Sequence, residues 1–241
     1  PYRMKVVALP NCLAGEDAVV SDDNKTWYVT CMGTNKVVIG NAVTDTVTGT
    51  IASTDKAFIK YPHGIALHNG IDRILVTTTV RASDLKDAGE TISVIEASTG
   101  KALSTLKVSK KASPGGEAPV EVVFVPHSDP PVAIITNMFG NSLWAAVWDP
   151  TKKNFDVQEI ADTAPFSGGV PLEIYFSKNM KRMYVTSANP GHLHVFDISG
   201  GVLKPKLVKS IATAGGAHHV AIPPDEKLAF VQNSFLNLPG M

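Results

Sequence analysis

Histidine and acidic residues occupy matching positions in five similar segments of this chain. Each segment contains an apolar run, and the runs align on Val20, Leu67, Phe124, Phe176 and Ile222. Three residues before these positions stand Asp17, Gly64, Glu121, Glu173 and His219. Four residues before them stand Glu16, His63, Val120, Leu172 and His218. Polar side chains at one level of neighbouring strands converge, so these two columns are where we expect a site.

Carboxylates and imidazoles gathered at one level can bind a metal ion or supply acid–base chemistry. Imidazoles suit copper, zinc or iron, whereas carboxylates alone suit calcium. No cofactor is certain from the sequence, and a copper, zinc or calcium ion is the candidate. The predicted metal-ligating residues are His63, Glu121, Glu173, His219 and Asp17. The alternative is that these side chains simply line a water-filled channel.

The three histidines of these columns are not equally favoured as metal ligands. His219 is the strongest single candidate. His218 should point the opposite way, because successive side chains of a strand alternate between its two faces. His63 shares the column of His218, but the adjacent Gly64 gives the backbone more freedom, so His63 is the second candidate.

The elements that carry these columns form a repeat. Second apolar runs centre on Tyr28, Leu75, Ile134, Tyr184 and Phe230, at spacings of 46 to 59 residues. Asp, Asn, Gly and Pro residues separate most first runs from the second, which predicts a β-hairpin in each unit. In four of the units, two further runs of strand-forming residues follow the predicted hairpin. Four antiparallel strands repeated radially predict an all-β fold, a β-propeller with about five blades represented here.

The repeat resembles that of the YVTN family of β-propellers. Matching segments are Tyr28-Val29-Thr30, Tyr184-Val185-Thr186-Ser187, Ser98-Thr99-Gly100 and Pro62-His63-Gly64-Ile65-Ala66. The resemblance spans nearly the whole chain and implies a propeller, commonly of seven blades. It does not specify a function, because one fold hosts many activities.

The repeat predicts one incomplete propeller domain over residues 1–241. We expect blades at about 16–57, 58–117, 118–170 and 171–215, and a partial blade at 216–241. Residues 4–9 would be the last strand of a preceding blade. Open sheet edges expose unpaired backbone groups, so we expect the chain to be part of a larger, seven-bladed ring.

Bulk composition excludes some classes of partner and location. The 22 Lys and Arg residues balance 22 Asp and Glu residues, so the basic surface that nucleic acids require is not expected. No apolar run approaches the length of a membrane span. The opening Pro1, which is not an initiator Met, and the family resemblance indicate an extracytoplasmic protein, either periplasmic, cell-surface or secreted. Cys12 and Cys31 are either disulfide-bonded or two buried thiols.

Two functions remain open from the sequence. The first is an exported scaffold that binds a protein on its loop-bearing face or a small molecule in its channel. That face would carry insertions at 78–90 and 109–118, together with Met138-Phe139 and Phe235-Leu236. The second is a metal-dependent enzyme, either a copper-type oxidoreductase or a lactonase-type hydrolase, with its site at the channel mouth. A third hypothesis, less favoured than these two, is that the protein is a subunit that lies beside a haem-bearing partner.

Overall fold

The structure, a computed structural model, describes residues 5–233, whose regular secondary structure is almost entirely β. Helix is limited to three short 3-10 turns, at Met32–Thr34, Asn69–Ile71 and Ala164–Phe166. Two compact units make up this part of the chain. The first comprises residues up to 107 with 111–115, and the second comprises 108–110 with residues from 116 onwards.

The first unit contains two four-stranded antiparallel sheets, each a simple meander of consecutive strands. One sheet is formed by β1 (Gly15–Val20), β2 (Thr26–Cys31), β3 (Lys36–Asn41) and β4 (Thr46–Ile51). The other is formed by β5 (Pro62–His68), β6 (Arg73–Thr78), β7 (Thr91–Glu96) and β8 (Lys101–Lys107). The reversals use Asn24, Asp45 and Asp72 with positive φ, a conformation that Asn and Asp tolerate better than most residues.

The second unit contains two more such sheets and one hairpin. The third sheet comprises β9 (Pro119–Phe124), β10 (Val132–Asn137), β11 (Ser142–Asp149) and β12 (Asn154–Asp162). The fourth comprises β13 (Pro171–Phe176), β14 (Arg182–Ala188), β15 (Gly191–Asp197) and β16 (Lys206–Ala212). The hairpin pairs β17 (Ala217–Ala221) with β18 (Phe230–Asn233). The prediction of four-stranded antiparallel blades is therefore confirmed.

Each unit has an apolar core built from side chains of both its four-stranded sheets. In the first unit, Ile51, Ile74 and Ile95 are fully buried in one cluster. In the second unit, Met183 and Phe196 belong to a corresponding cluster. β-branched and aromatic residues pack well on a pleated surface, which explains why the repeat is rich in them.

A β-bulge interrupts the first strand of every sheet. The pairing register shifts at residues 16–17, 63–64, 120–121, 172–173 and 218–219. These are the two columns of candidate site residues. A bulge places two residues opposite one and so breaks the regular alternation of side chains.

A threonine of the second strand stabilises each bulge in the four complete sheets. Its hydroxyl accepts the backbone N–H of the second bulge residue, at 2.8–3.1 Å; these threonines are Thr30, Thr77, Thr136 and Thr186. Within a unit, the same hydroxyl donates to the neighbouring sheet, from Thr30 to the His63 carbonyl and from Thr136 to the Leu172 carbonyl. The repeated threonine therefore supports the bulge and joins adjacent sheets.

The segment before β1 is held by a disulfide between Cys12 and Cys31, so the open question about these cysteines is answered in favour of a bond. Backbone bonds from Met32 to the Ala14 carbonyl and from Gly33 to the Leu13 carbonyl reinforce it. Residues 5–9, expected to be a strand, have no strand structure, and Met4 lies outside the described residues. A strand requires a paired neighbour, and none accompanies residues 5–9 in the described chain.

The insertion between β6 and β7 is ordered by exposed charges around Asp87. The Tyr61 hydroxyl donates to the Asp87 carboxylate at 2.7 Å, and Lys60 and Arg81 lie 3.0 and 3.2 Å from the same oxygen. These contacts, led by the Tyr61 hydrogen bond, lower the pKa of Asp87 to about 2.

Among the described residues, no helix is long and apolar enough to cross a membrane.

Candidate functional site

Two bulges of the second unit bring three side chains together. Glu173 is the second bulge residue of β13, and His218 and His219 are both bulge residues of β17. His218 Nε2 lies 3.2 Å from Glu173 Oε1, and His219 Nδ1 lies 3.6 Å from Glu173 Oε2. One ligand atom from each residue lies within 4.8 Å of the other two. This is the one group of three or more such side chains within metal-binding distance in residues 5–233.

The site has a buried side and an open side. The Glu173 side chain is 9% exposed and that of His218 is 19% exposed, whereas that of His219 is 52% exposed. The two imidazole rings stack, with centroids 4.2 Å apart. A groove of about 320 Å³, lined by His219, Phe230 and Gln232 among others, opens beside the exposed ring. A ligand in this groove would therefore contact the exposed ring of His219.

Tyr175 adds a fourth polar group to this site. Its hydroxyl oxygen accepts the backbone N–H of Val220 at 3.1 Å and lies 3.5 Å from His219 Nδ1. Tyr175 is two residues beyond Glu173 on β13 and pairs with Tyr184 of β14. The corresponding position of other units holds Val19, Ala66 or Val123, so the hydroxyl is particular to this blade.

His218 corrects the expectation taken from strand alternation. A regular strand would send His218 and His219 to opposite faces, and we expected His218 to point away. The register shift between Ala217 and Val220 breaks the alternation, and both imidazoles face Glu173. In the four complete sheets a threonine of the second strand marks the bulge, but the hairpin of β17 and β18 has Gln232 at that position, so no such sequence signal marked the β17 bulge.

The other predicted ligands also occupy bulges, but within residues 5–233 they do not join a group of three. In the first unit, His63 Nε2 lies 3.7 Å from Glu16 Oε2 across β5 and β1. Asp17 occupies the bulge of β1, where its backbone N–H donates to Thr30. In the second unit, Glu121 is buried, and one of its carboxylate oxygens accepts the backbone N–H of Val122 at 2.8 Å.

His192 and His194, two residues apart on β15, do not form a metal clip. His194 is fully buried, and its two ring nitrogens lie 2.8 Å from the hydroxyls of Ser187 and Ser210. Burial, and then the nearby His192, lowers the pKa of His194 to about 4. Both nitrogens are engaged inside the blade, so His194 has a structural role.

The predicted apolar loop residues divide into buried and exposed. Met138 is 4% exposed and packs into the blade, whereas the adjacent Phe139 is 45% exposed. Phe235 and Leu236 lie outside the described residues.

Comparison with solved structures identifies the fold as a β-propeller. The chain is similar to a structure described as the Dos1 propeller, with a TM-score of 0.60 and 16% identity over 90% of this chain and 52% of that one. It is also similar to the periplasmic gluconolactonase of Pseudomonas aeruginosa, with a TM-score of 0.65 and 12% identity over 90% of this chain and 62% of that one.

A third similar structure is the hydrazine synthase of Kuenenia stuttgartiensis, with a TM-score of 0.67 and 17% identity over 96% of this chain and 58% of that one. The chain thus spans less than two thirds of each of these three structures. No protein-family model matches the chain, and no curated protein matches it by sequence. At these identities the likeness establishes the fold alone.

Proposed function

We propose that this β-propeller is a metal-dependent hydrolase whose ion is held by Glu173, His218 and His219. The observation that carries the proposal is the spacing between these ligand atoms. A tetrahedral ion bound at about 2.1 Å from each ligand holds its ligands about 3.4 Å apart. His218 Nε2 lies 3.2 Å from Glu173 Oε1 and His219 Nδ1 lies 3.6 Å from Glu173 Oε2, so each imidazole is about one such edge away from one of the two carboxylate oxygens.

Simple hydrogen bonding explains only part of this arrangement. The contact of 3.2 Å between His218 and Glu173 would serve as a hydrogen bond, but 3.6 Å between His219 and Glu173 is too long for one. An ion held by the carboxylate and both imidazoles would join the three side chains, whose ligand atoms lie within 4.8 Å of one another.

The ligand types indicate the class of metal. Two imidazoles favour zinc or copper over calcium, which prefers oxygen ligands throughout. Two histidines and one glutamate with an open position are the composition of several catalytic zinc sites, where the ion lowers the pKa of its bound water to about 7. The exposed edge at His219 would admit an electrophilic substrate to that position.

We propose an ester or lactone as the substrate class. Attack of water on such a carbonyl is a reaction that a single metal ion can promote, by activating the water and polarising the carbonyl oxygen. The similar structures include a protein described as a periplasmic gluconolactonase, which supports this choice. Copper-type redox chemistry at the same ligands is the alternative.

Metal analysis of the purified full-length chain tests the binding part of the proposal. After chelator washing and reloading with zinc or copper, we expect about one equivalent per chain. Glu173→Gln and His218→Ala should each abolish retention. The matched control is His63→Ala, which removes an imidazole that lies at another bulge and faces a single carboxylate. This variant should retain the metal. Equal retention by all variants would place the ion elsewhere.

Hydrolysis of gluconolactone and of p-nitrophenyl acetate, measured above the uncatalysed rate, tests the reaction class. Zinc-loaded wild type should be active and Glu173→Gln inactive. A stoichiometric metal with no hydrolysis of either substrate would refute the hydrolase and leave copper-type redox chemistry for testing.

A second proposed function, protein binding on the loop-bearing face, is favoured by one observation. Phe139 is 45% exposed at a loop although Met138 beside it is buried. Aromatic residues are enriched at protein interfaces. A partner retained by wild type and by Val43→Ser, a control at an apolar residue that is 72% exposed, should be lost by Phe139→Ser. Retention by Phe139→Ser would remove this function.

We also propose an extracytoplasmic location, a YVTN-type repeat and a seven-bladed ring in the intact protein. The Cys12–Cys31 disulfide supports the location, because such bonds persist in oxidising compartments. Thiol labelling of the native protein without reductant should leave both cysteines unmodified, and labelling of both in freshly isolated protein would contradict an oxidising location.

A further inference from the structure

The turn between β1 and β2 contains an Asn-x-Thr sequence, at Asn24-Lys25-Thr26. A sequence of asparagine, any residue except proline, and serine or threonine is the acceptor for N-linked glycosylation in surface loops of exported proteins. No other asparagine of the chain has a serine or threonine two residues later. The chain therefore has a single acceptor sequence, and it falls on a surface turn.

Hydrogen bonds order this turn without using the Asn24 side chain. The Ser21 hydroxyl donates to the Asp23 carboxylate at 2.7 Å and accepts the backbone N–H of Thr26 at 3.0 Å. The Ser21 carbonyl accepts the backbone N–H of Asn24 at 2.8 Å. Within residues 5–233 the side-chain amide of Asn24 makes no hydrogen bond, and the residue is exposed. The turn thus presents this amide to solvent.

The backbone conformation of Asn24 does not by itself require an asparagine. Its φ of 56° is left-handed, which asparagine tolerates better than most residues. The turn between β13 and β14 has equivalent hydrogen bonds around Ser177, and there Met180 occupies the corresponding position with a φ of 54°. An amide is therefore not needed to build this kind of turn.

We propose that Asn24 is the attachment site of an N-linked glycan. This inference rests on the proposed extracytoplasmic location. The amide nitrogen of Asn24 forms a bond with the anomeric carbon of a sugar, and the bond from that carbon to a phosphate oxygen of a lipid-linked sugar pyrophosphate breaks. One amide proton passes to the departing pyrophosphate, and nothing is oxidised or reduced. The Thr26 hydroxyl completes the sequence that the transferring enzyme recognises.

The surroundings of the turn suit a bulky, hydrophilic group. Val43 is 72% exposed in the neighbouring turn between β3 and β4, where the backbone N–H of Ala42 donates to the Lys25 carbonyl at 2.8 Å. A glycan on Asn24 would shield this apolar side chain from other molecules. The turn lies at the opposite end of β1 from its bulge at residues 16–17, so the glycan would leave the bulge uncovered.

Peptide mass spectrometry of the protein isolated from its native source tests the inference. Trypsin cleavage after Lys5 and Lys25 gives a peptide with two asparagines, Asn11 and Asn24. Fragment ions should place a sugar mass on Asn24 in most wild-type chains. Asn11 is the matched internal control, because it is also exposed with a φ of 56° but lacks the acceptor sequence, and it should be unmodified.

Substitutions in the acceptor sequence separate recognition from mere exposure. Asn24→Gln and Thr26→Val should each lose the sugar mass, whereas Thr26→Ser should keep it. A sugar on Asn11, or one that persists on Asn24 in Thr26→Val, would overturn the assignment. Unmodified Asn24 in wild type with an intact Cys12–Cys31 disulfide would overturn the inference and leave the proposed location standing. Unmodified Asn24 together with two reactive cysteines would overturn both.

Discussion

The buried imidazole of His194 should make the fold sensitive to mild acid. Its pKa is lowered from 6.5 to about 4 by burial, with a smaller contribution from His192. The unfolded chain therefore binds this proton more readily than the folded chain. The stability that His194 contributes is fully present above pH 6.5 and is lost as the pH falls towards 4.

The size of the effect follows from the two pKa values. The folded and unfolded pKa values differ by about 2.5, and a pKa difference of one corresponds to about 1.4 kcal/mol. The free energy of unfolding should therefore fall by about 3 kcal/mol between pH 6.5 and pH 4. The hydrogen bonds to Ser187 and Ser210 survive protonation, because hydroxyl oxygens accept from either ring nitrogen. The penalty therefore comes from placing a charge in the fully buried interior of the blade.

Urea unfolding at several pH values between 4.5 and 7.5 measures this loss. Wild type should lose stability steeply over that range. His194→Gln keeps a hydrogen-bonding side chain but does not titrate, so its stability should change less with pH even if it is lower throughout. The control is His127→Asn, at an exposed turn with positive φ that asparagine tolerates, and it should follow the wild-type curve. Parallel curves for wild type and His194→Gln would refute the reasoning.

Three further changes should have separate effects. Replacing Cys12 and Cys31 by serine removes a cross-link between residues 19 apart and should lower the free energy of unfolding by about 3 kcal/mol in urea titrations. Asp87→Asn should speed proteolysis of the loop after β6, because the carboxylate that Tyr61 contacts is lost. In wild type, faster proteolysis of this loop should appear only as the pH falls from about 4 towards 2, where the Asp87 carboxylate is protonated. Thr136→Val should cost about 2 kcal/mol, measured by chemical denaturation, because two buried backbone groups lose their partner.

Exposed positions provide the controls for these changes. Thr48→Val on β4 should leave stability nearly unchanged, and Asp55→Asn should leave the proteolysis pattern unchanged. A Thr136→Val protein as stable as wild type would contradict the assigned role of the hydroxyl. An unchanged cleavage rate in Asp87→Asn would show that other contacts hold the loop. An unchanged urea midpoint in the double serine variant would remove the stabilising role of the disulfide.

The repeat alone was sufficient to predict the four-stranded blades. Alternating apolar residues and turn residues act locally, so they can be interpreted without knowing the tertiary structure. Of the strand expected at residues 4–9, the described residues 5–9 have no strand structure, because a strand also depends on a neighbour that local pattern does not supply. Whether Cys12 and Cys31 would meet depended in the same way on the path of the chain before β1.

The candidate site shows most clearly what sequence and structure each determined. The sequence placed Glu173 and His219 in one column of the repeat, because equivalent positions of neighbouring strands converge. Only the tertiary structure brought in His218 and Tyr175. The bulge in β17 turns both histidines towards one carboxylate, and the Tyr175 hydroxyl contacts His219 and the Val220 backbone from the adjacent sheet. A register shift and a contact between sheets depend on three-dimensional packing, which the two-residue period of a strand does not encode.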